Sequence, residues 1–145
     1  MSLIAIYLFI QLIVPFRHFL YPGDVSWTEK GHRFAWHMKL RDKDADAEFY
    51  VTENDKTFEV DLERHLTSRQ IRKMSARPDM IVQFAQYLGE LTSEAGIENI
   101  EVRVKVKASL NGRVESDLID PNVNLLTIGT KDEPAQWILP YLDQY

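Results

Sequence analysis

An α+β fold, an antiparallel β-sheet made of a meander plus a C-terminal hairpin with two helices, is predicted by three features of this 145-residue chain. Val102, Val104, Val106, Ala108 and Leu110 alternate strictly with Glu101, Arg103, Lys105, Lys107 and Ser109, the period of a strand with one wet face. Ile81, Phe84, Ala85, Leu88 and Leu91 recur at helical spacing instead. Strand-like segments come before and after the helical ones, a segregation that goes with an antiparallel sheet rather than with alternating β-α units.

Taken in order, Phe34 to Lys43 and Ala47 to Glu53 are the first strand candidates, joined by the charged turn Asp44-Ala45-Asp46. Asn54-Asp55 separates Tyr50 to Glu53 from Lys56 to Val60, the length of a two-residue hairpin loop, which completes a three-stranded meander. Thr67 or Ser68 can cap a short helix through Ser75. Pro78 suits the first turn of the longer helix, with Asp79 near its start and Gly96 just past its end. After the alternating strand, Asn111-Gly112 turns the chain back into Arg113 to Ile119, and Asp120-Pro121 ends that strand because proline lacks a ladder donor. An irregular tail follows, with Trp137-Ile138-Leu139-Pro140 near its end.

The N-terminus breaks the pattern. Leu3 to Val14 reads LIAIYLFIQLIV, apolar except for Gln11, with no charge before Arg17. Apolar residues at nearly every position describe a helix wet on no side. The run is shorter than the ~20 residues of a full span. It lacks the basic start and small-residue cleavage site of a signal peptide. Two readings stand at this point: a buried helix or strand of a soluble domain, or the end of a transmembrane helix. For the latter, Pro15-Phe16-Arg17-His18-Phe19-Leu20-Tyr21 supplies the aromatic and cationic anchors of a bilayer interface.

Composition excludes several function classes. A net charge of −5 lacks the basic excess that phosphate backbones demand, which argues against nucleic acid as a partner. With no cysteine there is no disulfide framework, thiolate zinc site or cysteine nucleophile, and the redox compartment stays open. The four histidines, His18, His32, His37 and His65, show no metal-binding spacing. No nucleophile elbow, phosphate loop or dinucleotide fingerprint occurs. The carboxylates at Asp42, Asp44, Asp46, Glu48, Glu53 and Asp55 read as solvated turns and polar faces. Arg103, Lys105 and Lys107 form a strand's wet side, with an acidic-peptide strip as the sharper reading. Trp27 and Trp36 read first as packing residues.

The run PFRHFLYPGDVSWTEKGHRFAWHMKLR resembles the junction between the last membrane helix and the lumenal or periplasmic domain in vitamin K-dependent gamma-carboxylases. The shared pattern is matched by Pro15, His18, Gly23, Trp27-Thr28, Gly31 and Trp36-x-Met38. Ser109 to Arg113 with Ile119 to Leu125, and more loosely Arg77 to Leu88, extend the resemblance over most of the chain. It is nearer to the bacterial relatives, HTTM-domain proteins, than to the animal enzymes.

The resemblance implies that residues 1–17 are the end of the last transmembrane helix and its interface, and that 18–145 form an extracytoplasmic α+β domain, periplasmic, extracellular or lumenal. It implies that the full-length protein uses vitamin K hydroquinone, oxygen and carbon dioxide. The hydroquinone's oxygenation drives removal of a glutamyl γ-proton, and carbon dioxide adds to the carbanion. The strong base this needs has to be generated away from water. The catalytic lysine and histidine of the family belong to upstream membrane segments, so the expectation is no catalytic residue, no metal and no resident cofactor in this fragment. The expected partners are a glutamate-containing protein or peptide and the membrane through residues 1–17. By carry-over, His18, Tyr21, Gly23 and Trp27 are the candidate substrate-binding residues, Gly23 by close backbone approach. Interfacial anchoring by His18 and Tyr21, and core packing by Trp27, are the structural alternatives. A non-catalytic peptide- or protein-interaction module is the alternative function, docking its partner at the sheet edge or the Arg103-Lys105-Lys107 face.

Overall fold

The computed structural model describes residues 2–21, 23–31, 35, 42–54, 56–97, 99–129 and 136–142. Helix α1, Ser2–Ile13, runs straight into a 3-10 segment, Val14–Leu20. The change of pitch has a covalent cause, because Pro15 has no amide hydrogen for the carbonyl of Gln11 and the α-helical ladder stops there. Together they give an apolar rod from Leu3 to Leu20 that is 6% buried and long enough to cross a membrane by length and composition. The soluble-core reading of this run therefore fails, since almost none of it packs on the domain.

The single-turn helix α2, Val25–Thr28, is capped by Asp24, whose carboxylate accepts from the Ser26 amide at 2.7 Å. The short predicted helix is α3, Ser68–Ser75, closed by a capping box between Thr67 and Gln70. The longer one is α4, Pro78–Glu94, with Pro78 in its first turn. Its predicted face packs as expected except at the rim, where Leu91 stays 38% exposed.

Strands β1 (Lys43–Glu53), β2 (Lys56–Glu59), β3 (Ile100–Leu110) and β4 (Ser116–Asp117) form one antiparallel sheet in the order β2-β1-β3-β4. The Asn54 hairpin turns as predicted, with Glu53 opposite Lys56. The expected turn at Asp44-Ala45-Asp46 does not form. Those residues lie inside β1, where Asp44 faces Ser109, Asp46 faces Lys107 and Glu48 faces Lys105. Opposite charges across the ladder at Asp46–Lys107 and Glu48–Lys105 favour this register despite the poor strand propensity of aspartate, and Ala45 and Ala47 continue the inward-facing row. Of the predicted strand Phe34 to Lys43, residues 34 and 36–41 lie outside the described residues, and Lys43 itself opens β1.

The C-terminal hairpin is shorter and looser than its sequence implies. Asn111 and Gly112 both have positive φ, 54° and 71°, as the expected turn requires. The pairing, however, sets Ala108 against Ser116, one residue beyond the register of a two-residue loop. The extra residue bulges out of the 113–115 segment and leaves Val114 72% exposed. The tail then bonds back along the same side. Leu139 donates to the Leu118 carbonyl at 3.0 Å, and Ile119 bridges Ile138.

The core lies between the inner sheet face and α4. Phe49, Val102, Val104 and Val106 meet Ile81, Phe84, Ala85 and Leu88, with Leu118, Ile119 and Leu125 sealing one side. Phe49 and Phe84 pack edge to face at 5.0 Å. Each such side chain contributes roughly 1.5–3 kcal/mol by leaving water. The IDPNVNL stretch has a structural task here, because the Asn124 side chain accepts from both Val102 and Leu126 amides at 3.1 Å and ties the Leu125–Thr127 turn to the start of β3.

A candidate substrate site at the membrane junction

Where the apolar rod ends, the chain must turn out of a helix and into the sheet domain within a few residues. His18 holds the end of the rod. Its Nδ1 donates to the Pro15 carbonyl at 2.8 Å, and its ring lies 4.1 Å from that of Phe19. A carbonyl can only accept, so Nδ1 is the donor in this bond. Tyr21 follows in extended conformation. Gly23 takes φ +88° and packs 3.3 Å from the Thr28 methyl, as judged from the position a Cβ would occupy.

His18, Tyr21 and Gly23 line one open hollow of about 560 Å³, completed by Pro15, Phe16, Phe19 and Val25. Trp27 does not line it. It is 1% exposed, its indole Nε1 donates to the Leu139 carbonyl at 2.8 Å, and its ring meets Tyr141 at 4.6 Å. Lys43 donates to the Trp27 carbonyl and sits over the indole at 5.1 Å. Trp27 is thus the rivet that joins the junction to β1 and to the tail. Trp36, Met38, His32 and His37 lie outside the described residues.

Gly31 stands behind Tyr21, outside the lining of the hollow. With φ +71°, it has no room for a side chain, because a Cβ there would fall 2.6 Å from Tyr21 Cδ2 and 3.0 Å from His18 Cα. It entered the sequence reading only as one element of a spacing pattern, and its role as the backstop of Tyr21 depends on a contact that no local rule predicts. Glu29 is the second unforeseen feature, a buried carboxylate in left-handed backbone at φ 61°.

The outer sheet face differs in character. Arg103 pairs with Glu101 at 2.8 Å and Lys107 with Asp117 at 2.8 Å, while Lys105 lies 5.0 Å from the Tyr50 ring centre. Donation to the Glu48 carboxylate, with desolvation and the charges of Glu48 and Glu59 adding, holds the Tyr50 hydroxyl above its ordinary range. The basic strip is therefore interleaved with acids, and it presents no single-sign patch to an acidic peptide. Among the described residues no three His, Asp or Glu side chains gather into a metal-sized site.

The family model described as Vitamin K-dependent gamma-carboxylase, lumenal domain, matches residues 1–144. The chain belongs to that family. The resemblance read from the junction and the two later blocks thus holds across the chain. No solved structure matches it. A lumenal domain is the topologically extracellular or lumenal part of a membrane protein, and Leu3–Leu20 is the one stretch among the described residues long and apolar enough to anchor it.

Proposed function

We propose that this lumenal domain presents a glutamyl side chain to the membrane part of a carboxylase-like protein, and that it binds rather than catalyses. The observation that carries this reading is the junction hollow, which sets the His18 imidazole and the Tyr21 side chain among apolar walls at the end of the apolar rod. Apolar walls suit the methylenes of a glutamyl residue, and a tyrosine hydroxyl with a protonated imidazole suits its carboxylate. Gly23 keeps backbone rather than side chain at its edge, and Gly31 leaves room for the Tyr21 ring. Trp27 acts on the site indirectly, by fixing the junction to the sheet. On this proposal residues 1–17 are the end of a span and its interface, and 18–145 stand outside the cytoplasm, in the periplasm if the protein is bacterial and HTTM-like.

Vitamin K hydroquinone, oxygen and carbon dioxide belong to the full-length protein in this scheme, where the quinol's oxygenation supplies the base for γ-proton removal in a lyase-class reaction. Residues of this chain hold the peptide, and the exclusion of water that the chemistry needs falls to the membrane part. The interaction-module alternative finds less support, because its basic strip is charge-compensated within the sheet.

The test uses full-length protein with radiolabelled carbon dioxide and a glutamyl peptide. His18→Ala is expected to raise KM for the peptide by about tenfold, the ~1.4 kcal/mol of one lost polar contact, with kcat and peptide-independent quinol epoxidation little changed. An unchanged KM would remove His18 from the site. Turnover by these 145 residues alone would overturn the non-catalytic role.

A further inference from the structure

Besides the rod and the hollow, one exposed apolar feature stands out. Val114, at 72% exposure, and Leu142, at 65%, line a hollow of about 410 Å³ with Leu139 and Pro140, and the Lys107–Asp117 ion pair borders it. Isolated exposed apolar residues need no explanation, but these share one concavity. The patch is also no accident of loop composition. The one-residue bulge after Asn111-Gly112 pushes Val114 out, and the Tyr141 hydroxyl then clamps that bulge by donating to the Val114 carbonyl at 2.9 Å.

Its place in the fold is near the end of the apolar rod. Tyr141 packs on Trp27, Trp27 donates to Leu139, and Lys43 at the start of β1 donates to Trp27. Trp27 in turn lies a short way beyond Leu20, where the apolar rod ends. Since Lys43 pairs with Leu110 and Glu53 with Ile100, the β3–β4 bulge and the tail lie at the junction end of the sheet, while Asn54 lies at the other. Along β1 those ends are about 33 Å apart. Val114, Leu139, Pro140 and Leu142 form the apolar part of this hollow, Glu115, Ser116 and the Lys107–Asp117 pair its polar part, and exposed Arg113 stands next to it in the chain. An apolar cluster with a mixed-charge border, at the end of the domain tied to a span, suits a shallow contact among headgroups.

We propose that the Val114–Leu142 patch is a second membrane contact, seated in the headgroup layer of the bilayer that Leu3–Leu20 enters, so that the domain stands end-on with two points of attachment. The proposal rests on the reading of Leu3–Leu20 as a span. Two attachments in place of one hinge would hold the junction hollow at a constant height above the bilayer.

The absence of native cysteine makes the test direct. Single variants Val114→Cys, Leu142→Cys, Leu8→Cys and Asn54→Cys, all at exposed positions, are labelled with an environment-sensitive fluorophore in the full chain reconstituted into phosphatidylcholine–phosphatidylglycerol vesicles. Labels at 114 and 142 are expected to emit further to the blue than the label at 54 and to be quenched by lipids spin-labelled near the headgroup. The label at 8 should respond to lipids spin-labelled deep in the chain. Quenching of 114 and 142 by aqueous iodide to the same extent as 54 would overturn the second contact while leaving the span intact if 8 stays lipid-quenched. Protection from iodide without quenching by lipid would also overturn it, in favour of a protein surface covering the patch. Loss of lipid quenching at 8 would overturn the span reading and, with it, the second contact.

Discussion

The junction, residues 14–31, and the sheet domain that follows use left-handed backbone in opposite ways. In the sheet domain it occurs at Asn54, Gly96, Asn99, Asn111 and Gly112, all residue types that tolerate it and all at the ends of regular elements. In the junction it occurs at Gly23, Glu29 and Gly31 within one short stretch, and Glu29 is both unsuited to it and buried. The sheet domain is regular because alternation and helical spacing can satisfy backbone and core together. The junction has no repeating surface to pack against, so its shape is held by individual contacts: Pro15 against His18, Gly31 against Tyr21, Trp27 against Leu139. Stability is concentrated in one region and the candidate site in the other.

That division can be broken or sharpened by four changes. Phe49→Ala removes a fully buried ring from the face of Phe84 and should cost about 3–5 kcal/mol, read as a large fall in denaturation midpoint. If the sheet domain still melted near its wild-type midpoint, the core assignment would be wrong. Gly31→Ala should cost about 1–3 kcal/mol through left-handed strain and the clash with Tyr21, and it should weaken glutamyl-peptide binding beyond what lost stability explains. Equal binding with a displaced Tyr21 would separate that ring from the site. Thr67→Ala removes half of the α3 capping box and should cost about 1 kcal/mol by the same denaturation measurement, with peptide affinity unchanged. Removal of residues 1–14 should have the smallest effect on the fold. The truncated chain is expected to keep its cooperative melt and gain solubility, since the rod is almost entirely outside the core. A lost transition would return that run to the soluble core.

Much of the sheet domain was legible beforehand because its signals are local. The alternation of Val102 to Leu110 with charged neighbours, the spacing of Ile81 to Leu88 and the Asn-Gly turn each state a backbone preference within a few residues. The mistaken turn at Asp44-Ala45-Asp46 shows the limit. Aspartates favour turns in isolation, and only pairing with a strand far along the chain, Asp44 opposite Ser109 and Asp46 opposite Lys107, carries them into β1. The length of the last strand was misjudged for a related reason, since a bulge is set by how two strands and the tail settle together rather than by the residues of the turn.

The same boundary runs through the candidate site. Sequence by itself determined the family and the apolar run with its aromatic and cationic end, because these rest on residue identity and short spacing, and the family resemblance then marked His18, Tyr21, Gly23 and Trp27 as the residues to inspect. Tertiary structure alone decided that the rod stays outside the core, that His18, Tyr21 and Gly23 line one hollow, that Gly31 stands behind Tyr21, and that Trp27 is a buried rivet to the tail. It also brought Val114 and Leu142 to one surface. The physical reason is the range of the forces involved. Backbone preferences act over a few residues and are written along the chain, whereas close packing joins residues such as Trp27 and Leu139 only after the chain between them has folded.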